Sequence, residues 1–126
     1  MESVAGLDVG VKKSALCVVT RDASSTRLLR RHRTATDPSS IGSWLASQGV
    51  VRVGLEAGAQ SSWLAHELEH RGFEVTVMEA RRQRAFGAYS KVKTDERDAR
   101  LSGEALATGL YTRVHVRSVW SQEVRA

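Results

Sequence analysis

In the stretch KTDERDAR, residues 93–100, Asp95 and Asp98 stand three positions apart with basic residues on both sides. Carboxylates at this spacing can cap a helix, or they can supply half of a site for a hard cation. At about 100° per residue, Asp98, Ala99, Leu101, Ser102, Ala105 and Leu106 fall on the arc around Asp95. Glu96, Arg97, Arg100, Gly103, Glu104 and Thr108 occupy the opposite arc. A solvating acid belongs with Glu96 and Glu104, so the two aspartates are aimed at the body of the protein. The capping reading, with Asp95 as N-cap and Asp98 as its capping-box partner, requires only local hydrogen bonds and the helix dipole, and it stays open.

Two further acids bear on the choice. Val4, Gly6 and Asp8 share one face of a predicted strand, Gly54 and Glu56 one face of another, and each acid closes its strand two positions after a glycine. If the two strands are parallel neighbours, Asp8 and Glu56 meet at their C-terminal ends, where open α/β sheets place ligands. Carboxylates that close must be protonated or share a cation. Four of them suit an oxygen-loving Mg²⁺ or Mn²⁺, or a pair of ions about 3.5–4 Å apart.

The elements that must position these acids alternate. Val4 to Val9 and Ser14 to Thr20 read as a hairpin across GVKK, followed by a strand from about Arg27 to Thr34. Asp37-Pro38 starts a helix that stops at Gly49; Val50 to Glu56 is a buried strand; Ser61 to Arg71 is a helix ended by Gly72; Phe73 to Met78 is a strand. A basic helical segment is expected from Arg81 to about Tyr89, then the helix from Asp95 to Thr108. Antiparallel strands followed by strand-helix-strand units imply a mixed α/β sheet. YTRVHVRS reads as extended, and SVWSQEVRA as the first turns of a helix too short to bury much by itself. The expected organisation is therefore a domain over 1–117 and, over 118–126, the start of a helix continuing into something longer.

Composition sets the outer limits. A chain of 126 residues, 41% apolar, has material for one domain with a core. No apolar run approaches the ~20 residues that span a bilayer, and MESVAGLDVG has no signal-peptide pattern, so the expectation is a cytoplasmic protein without membrane contact. The lone Cys17, inside ALCVV, reads as a buried strand thiol. The net charge of +5 is compatible with a polyanionic partner. Arg81, Arg82, Arg84, Lys91, Lys93, Arg97 and Arg100 crowd one segment against Asp95, Glu96 and Asp98, with Phe86 and Tyr89 among them to stack on bases or anchor the core. HELEH, residues 66–70, matches a zinc-protease pattern, but both histidines fall away from the apolar face of Leu64, Ala65 and Leu68, and no third ligand is in view.

GLDVGVKKSALCVV, VGLEAG and KVKTDERDAR together resemble the three motifs of the RuvC-like DEDD domain of insertion-sequence transposases, the family that includes bridge-RNA-guided recombinases and the pilin-gene inverting recombinase. The resemblance spans nearly the whole chain. It implies an RNase H-like fold and a catalytic, metal-binding set of Asp8, Glu56, Asp95 and Asp98 holding Mg²⁺ or Mn²⁺. It also implies DNA as substrate, a structured guide RNA in some members, and multimers in the full-length proteins. The basic segment leading to the last acids would contact nucleic acid through Arg81, Arg82, Arg84, Lys91 and Lys93. Family members continue into a coiled coil and a C-terminal domain with a serine nucleophile, and no serine here matches that motif. Two rival readings accompany this one. Asp8-Val9-Gly10 after a strand also occurs in actin-like kinases, which need a second lobe that 126 residues do not provide. A non-catalytic RNA- or DNA-binding module would keep the fold and the basic segment without a need for metal.

Overall fold

The computed structural model describes residues 2–22, 25–79 and 95–114, with backbone only at 95 and 96. Three strands come first, β1 (Ser3–Val9), β2 (Lys13–Arg21) and β3 (Thr26–Ala35). They are followed by α1 (Pro38–Ser47), β4 (Arg52–Glu56), α2 (Ser61–His70), β5 (Glu74–Met78) and α3 (Asp95–Thr108). The strands form one mixed sheet in the order β3-β2-β1-β4-β5. β1, β2 and β3 are antiparallel neighbours, whereas β1-β4 and β4-β5 are parallel. The predicted hairpin is present, and so is the parallel neighbouring of the two acid-bearing strands that a meeting of Asp8 and Glu56 requires. The segments expected at 81–89 and 115–126, and the basic residues Arg81, Arg82, Arg84, Lys91 and Lys93, lie outside the described residues.

Helix ends follow from local chemistry. Asp37 caps α1 by accepting from the Ser40 backbone N–H at 2.9 Å and from the Ser40 hydroxyl at 3.0 Å, and Pro38 takes the first turn, where no donor is needed. Gly49 and Gly72, at φ of 70° and 94°, close α1 and α2. The N–H groups of Val50 and Phe73 turn back onto the Leu45 and Leu68 carbonyls. That turn absorbs Val50 and Val51, so β4 starts at Arg52 rather than at Val50.

The two faces of the sheet are built differently. Ala5, Leu7, Leu16, Val18, Val53 and Leu55 point toward α1 and α2 and meet Ile41, Leu45, Leu64 and Leu68, all fully buried. Each such Leu or Ile contributes about 1.5–3 kcal/mol by leaving water. The other face carries Val4, Gly6, Ala15, Cys17, Val19 and Gly54, and α3 lies on it, across β1, β2 and β4. A Cβ on Gly6 would overlap the Ala99 carbonyl oxygen and the Gly103 backbone nitrogen. The closest approach of α3 to the sheet is therefore backbone on backbone. Gly103, placed by helical periodicity on the polar arc, is buried at this contact together with Ala99, Ser102 and Leu106. Without a side chain it marks neither face by hydropathy. Among the described residues no helix is long and apolar enough to cross a membrane.

Two outcomes follow. Gly6→Ala forces α3 off the sheet and lowers stability by about 3 kcal/mol or more, whereas Gly58→Ala, with open space around its Cβ, changes it by under about 1 kcal/mol; urea unfolding of the two variants makes the comparison. The hydrogen bonds from Ser40 hold the Asp37 carboxyl below the usual carboxylate range. Because the folded-state pKa is the lower one, the cap's contribution is full above the unfolded value and fades as pH falls through the folded one. Melting curves of the unmutated chain and Asp37→Ala should differ at neutral pH and converge in strong acid.

Candidate metal centre

β1 and β4 run parallel with Gly6 beside Gly54 and Leu7 beside Leu55, so the next residues, Asp8 and Glu56, end adjacent strands side by side. Their parity follows from their neighbours. Leu7 and Leu55 enter the core under α1 and α2, and Gly6 and Gly54 face α3, so Asp8 and Glu56 also face α3. Helix α3 runs antiparallel to β1, with Leu106 near Val4 and Ala99 near Ala15 and Cys17, which brings its N-terminal turns to the acid end of the sheet. Asp98 sits one residue before the buried Ala99 and is itself half-buried.

The result is a cavity of about 200 Å³ lined by Asp8, Glu56, Asp98, Gln60, Ser61 and Ser102, together with the Val9–Val11 and Ala57–Ala59 backbone turns. Three of the four acids expected from sequence thus border one space. The fourth, Asp95, opens α3 one turn earlier, and its carboxylate is outside the described side chains.

The turns around the cavity are tied down. The Thr36 hydroxyl donates to the Gly10 carbonyl at 2.7 Å and is paired with the Ser14 hydroxyl at 2.7 Å, fixing the β1-β2 turn to the end of β3. Ser61, first in α2, donates to the Gly58 carbonyl at 2.9 Å and accepts from the Gly58 N–H at 3.1 Å, while the Ala57 N–H donates to the Met78 carbonyl.

Gln60 is a feature that pattern reading missed. It stands at the N-cap position of α2 but makes no side-chain cap bond, and its Oε1 is buried without a hydrogen-bond partner among the described residues. An orphaned buried carbonyl costs about 1–3 kcal/mol, so a polar lining at this cavity is held at a stability cost. Three carboxylates form an all-oxygen donor set, the chemistry that Mg²⁺ or Mn²⁺ selects. Among the described residues no three potential ligands close into a preformed metal cluster. Mg²⁺ characteristically takes one or two carboxylates and completes its shell with water and substrate phosphate, so the donor set fits the ion without such a closed cage.

The HELEH segment is arranged as a helix surface. Leu64, Ala65 and Leu68 are the buried apolar residues of α2, Glu67 pairs with Arg71 at 3.4 Å, and His70 is exposed. Cys17 is fully buried in β2, as expected.

A family model described as Transposase, that of the DEDD transposases, matches residues 5–125. No curated protein matches the sequence. Among solved structures, the fold is similar to that of RuvC from T. thermophilus in complex with a Holliday junction substrate, at 14% identity and a TM-score of 0.64, covering 90% of this chain and 100% of that one. It is also similar to the Fowlpox virus resolvase in complex with Holliday junction DNA, at 14% identity and a TM-score of 0.63, covering 86% of this chain and 98% of that one. These likenesses establish the RuvC-like, RNase H-like fold.

Gln60→Leu tests the orphaned amide. Replacing an unsatisfied buried polar group by an apolar one of similar size should leave stability unchanged or raise it by up to about 1 kcal/mol in metal-free buffer. A clear loss in the denaturant midpoint would mean that the amide already has its partner.

Proposed function

This chain belongs to the family of DEDD transposases, and on that premise we propose that its acid cavity is a divalent-metal centre acting on DNA phosphodiesters. The observation that supports this best is the meeting of Asp8, Glu56 and Asp98, from two strand ends and a helix far apart in sequence, at one cavity. A helix cap accounts for Asp98 alone and leaves Asp8 and Glu56 unexplained.

In this reading Asp8 and Glu56, on the rigid centre of the sheet, are the fixed ligands, and Asp98 with Asp95 completes the set from the first turns of α3. When bound, Mg²⁺ or Mn²⁺ would supply positive charge to a phosphate oxygen and to the charge that develops as a strand is broken or transferred. The carboxylates serve as ligands rather than general bases. Arg81, Arg82, Arg84, Lys91 and Lys93 belong to the proposal as phosphate contacts that bring DNA to the acids without reading its sequence. A serine nucleophile from a further domain, a guide RNA, and assembly into multimers are the finer parts of the same proposal.

Calorimetric titration of Mn²⁺ into the chain and its Asp8→Asn and Asp98→Asn variants tests the centre, in parallel with Mn²⁺-dependent nicking of branched DNA. Saturable heat should weaken in both variants by at least about 100-fold in affinity. Metal-free melting temperatures should hold or rise, because like charges have been removed. Heat that persists unchanged in both, or DNA binding that ignores chelators in a chain that takes up no metal with DNA present, leaves a binding module instead.

A further inference from the structure

Among the described residues β3 is the open edge of the sheet. On the opposite side the edge of β5 is covered, since Arg113 bridges to Met78, the Val114 N–H donates to the Val77 carbonyl and the Glu79 N–H to the Thr112 carbonyl. Among the described residues β3 pairs only with β2. It carries Arg27, Arg30, Arg31 and Arg33 within ten residues, all exposed, and no acid. The residues opposite on β2 include Lys13 and Arg21 but likewise no acid. Among the described residues Arg27, Arg30 and Arg31 form no ion pair, whereas Arg52, Arg71 and Arg100 do. Charge on an edge strand blocks edge-to-edge aggregation, and charge alone would be enough for that.

Register gives these arginines a more specific role. Val18 pairs with Arg30 and Val19 with Leu28, so Leu29 is an extra residue, a bulge that resets the alternation. Without it Arg30 and His32 would share the face of Leu28, which is the face of α3. With it, His32 turns to α1 and stacks on Trp44 with ring centroids 4.9 Å apart and planes 7° apart. Arg31 and Arg33 turn to the α3 face, opposite Cys17 and Ala15 respectively. Ala15 in turn pairs with Asp8. Arg33, Ala15 and Asp8 thus form one row across the sheet, and the arginine lies two strand spacings, about 10 Å, from the acid. That is the scale of a duplex groove.

We propose that the bulge at Leu29 aims Arg31 and Arg33 at nucleic-acid phosphates, making the catalytic face of the β3 edge a second anchor for DNA whose scissile strand reaches Asp8 and Glu56. The inference rests on the DNA-acting reading above. Arginine suits the task because its planar fork pairs two phosphate oxygens at once. A duplex laid over this end of the sheet meets positive charge on β3 and the cavity on the far side of α3, so the edge sets the angle at which the strand enters. Arg27 and Arg30 pair with Thr20 and Val18 and lie off this face, on the same strand.

Those two supply the control. Fluorescence anisotropy with a labelled branched DNA duplex, across a salt series and with chelator present, compares the unmutated chain, Arg31→Ala/Arg33→Ala and Arg27→Ala/Arg30→Ala. Each pair removes the same charge from the same edge. The first should weaken binding by about 10-fold or more and flatten the slope of log K against log salt by about 2, and the second should change affinity by under about 2-fold. Equal losses in both pairs would reduce the effect to net charge and overturn the oriented anchor. Unchanged binding in the first pair would leave the arginines as edge protection and overturn it too, with the metal centre still standing on its titration. A chain that binds no DNA at all overturns this inference and the DNA-acting reading together.

Discussion

The contact between Gly6 and the Ala99–Gly103 stretch of α3 is the constraint from which the site follows. A helix packed through ordinary side chains is held off the sheet by them, and so is any aspartate that it carries. Removing the Cβ at Gly6 and Gly103 lets backbone meet backbone. At Gly54 a Cβ would press on Met78 Cε at 3.0 Å and Leu106 Cβ at 3.2 Å, so the same tight seat continues onto β4. The glycines two positions before Asp8 and Glu56 are thus part of the acids' placement. They lower the helix that carries Asp98 onto the face from which both strand acids project.

That placement has an electrostatic consequence. Asp8 and Glu56 end their strands side by side, and Asp98 looks onto the same cavity from α3. Three carboxylate side chains border a space of about 200 Å³, and backbone placement on two strand ends and one helix brings them there. The tethering of the Gly10 and Gly58 turns by Thr36 and Ser61 supplies part of that placement. In the metal-centre reading proposed above, a cation would offset the repulsion among carboxylates brought this close.

Much of this was legible in the residues. The parity of Asp8 and Glu56 and the inward side of Asp98 follow from period-2 and period-3.6 patterning, because each acid has apolar neighbours that declare its face, whereas the parallel pairing of the two strands entered only as a condition. Gly103 and Gln60 were not legible for opposite reasons. A glycine carries no hydropathy to assign it to a face, and a glutamine at an N-cap position reads as solvent-exposed until the loop from β4 folds over it. The β3 arginines were hidden by the bulge. Strict alternation places Arg31 and Arg33 away from α3, and only the extra residue at Leu29, which has no sequence signature of its own, reverses them.

The two faces of the sheet divide the work. The α1-α2 side is filled by Leu and Ile of large buried area, and it supplies most of the hydrophobic stabilisation. The α3 side is lined by Gly, Ala, Cys and Val, which bury less per residue but permit close approach. A layer made of small residues is held in position by shape more than by transfer energy, so it depends on the opposite layer to hold the sheet beneath it. The sequence spends its large apolar side chains where they stabilise and its glycines where they bring charges together. For that reason a single methyl group added on the α3 face should disturb the acids more than the loss of one from the opposite core, which leaves the backbone contact between α3 and the sheet in place.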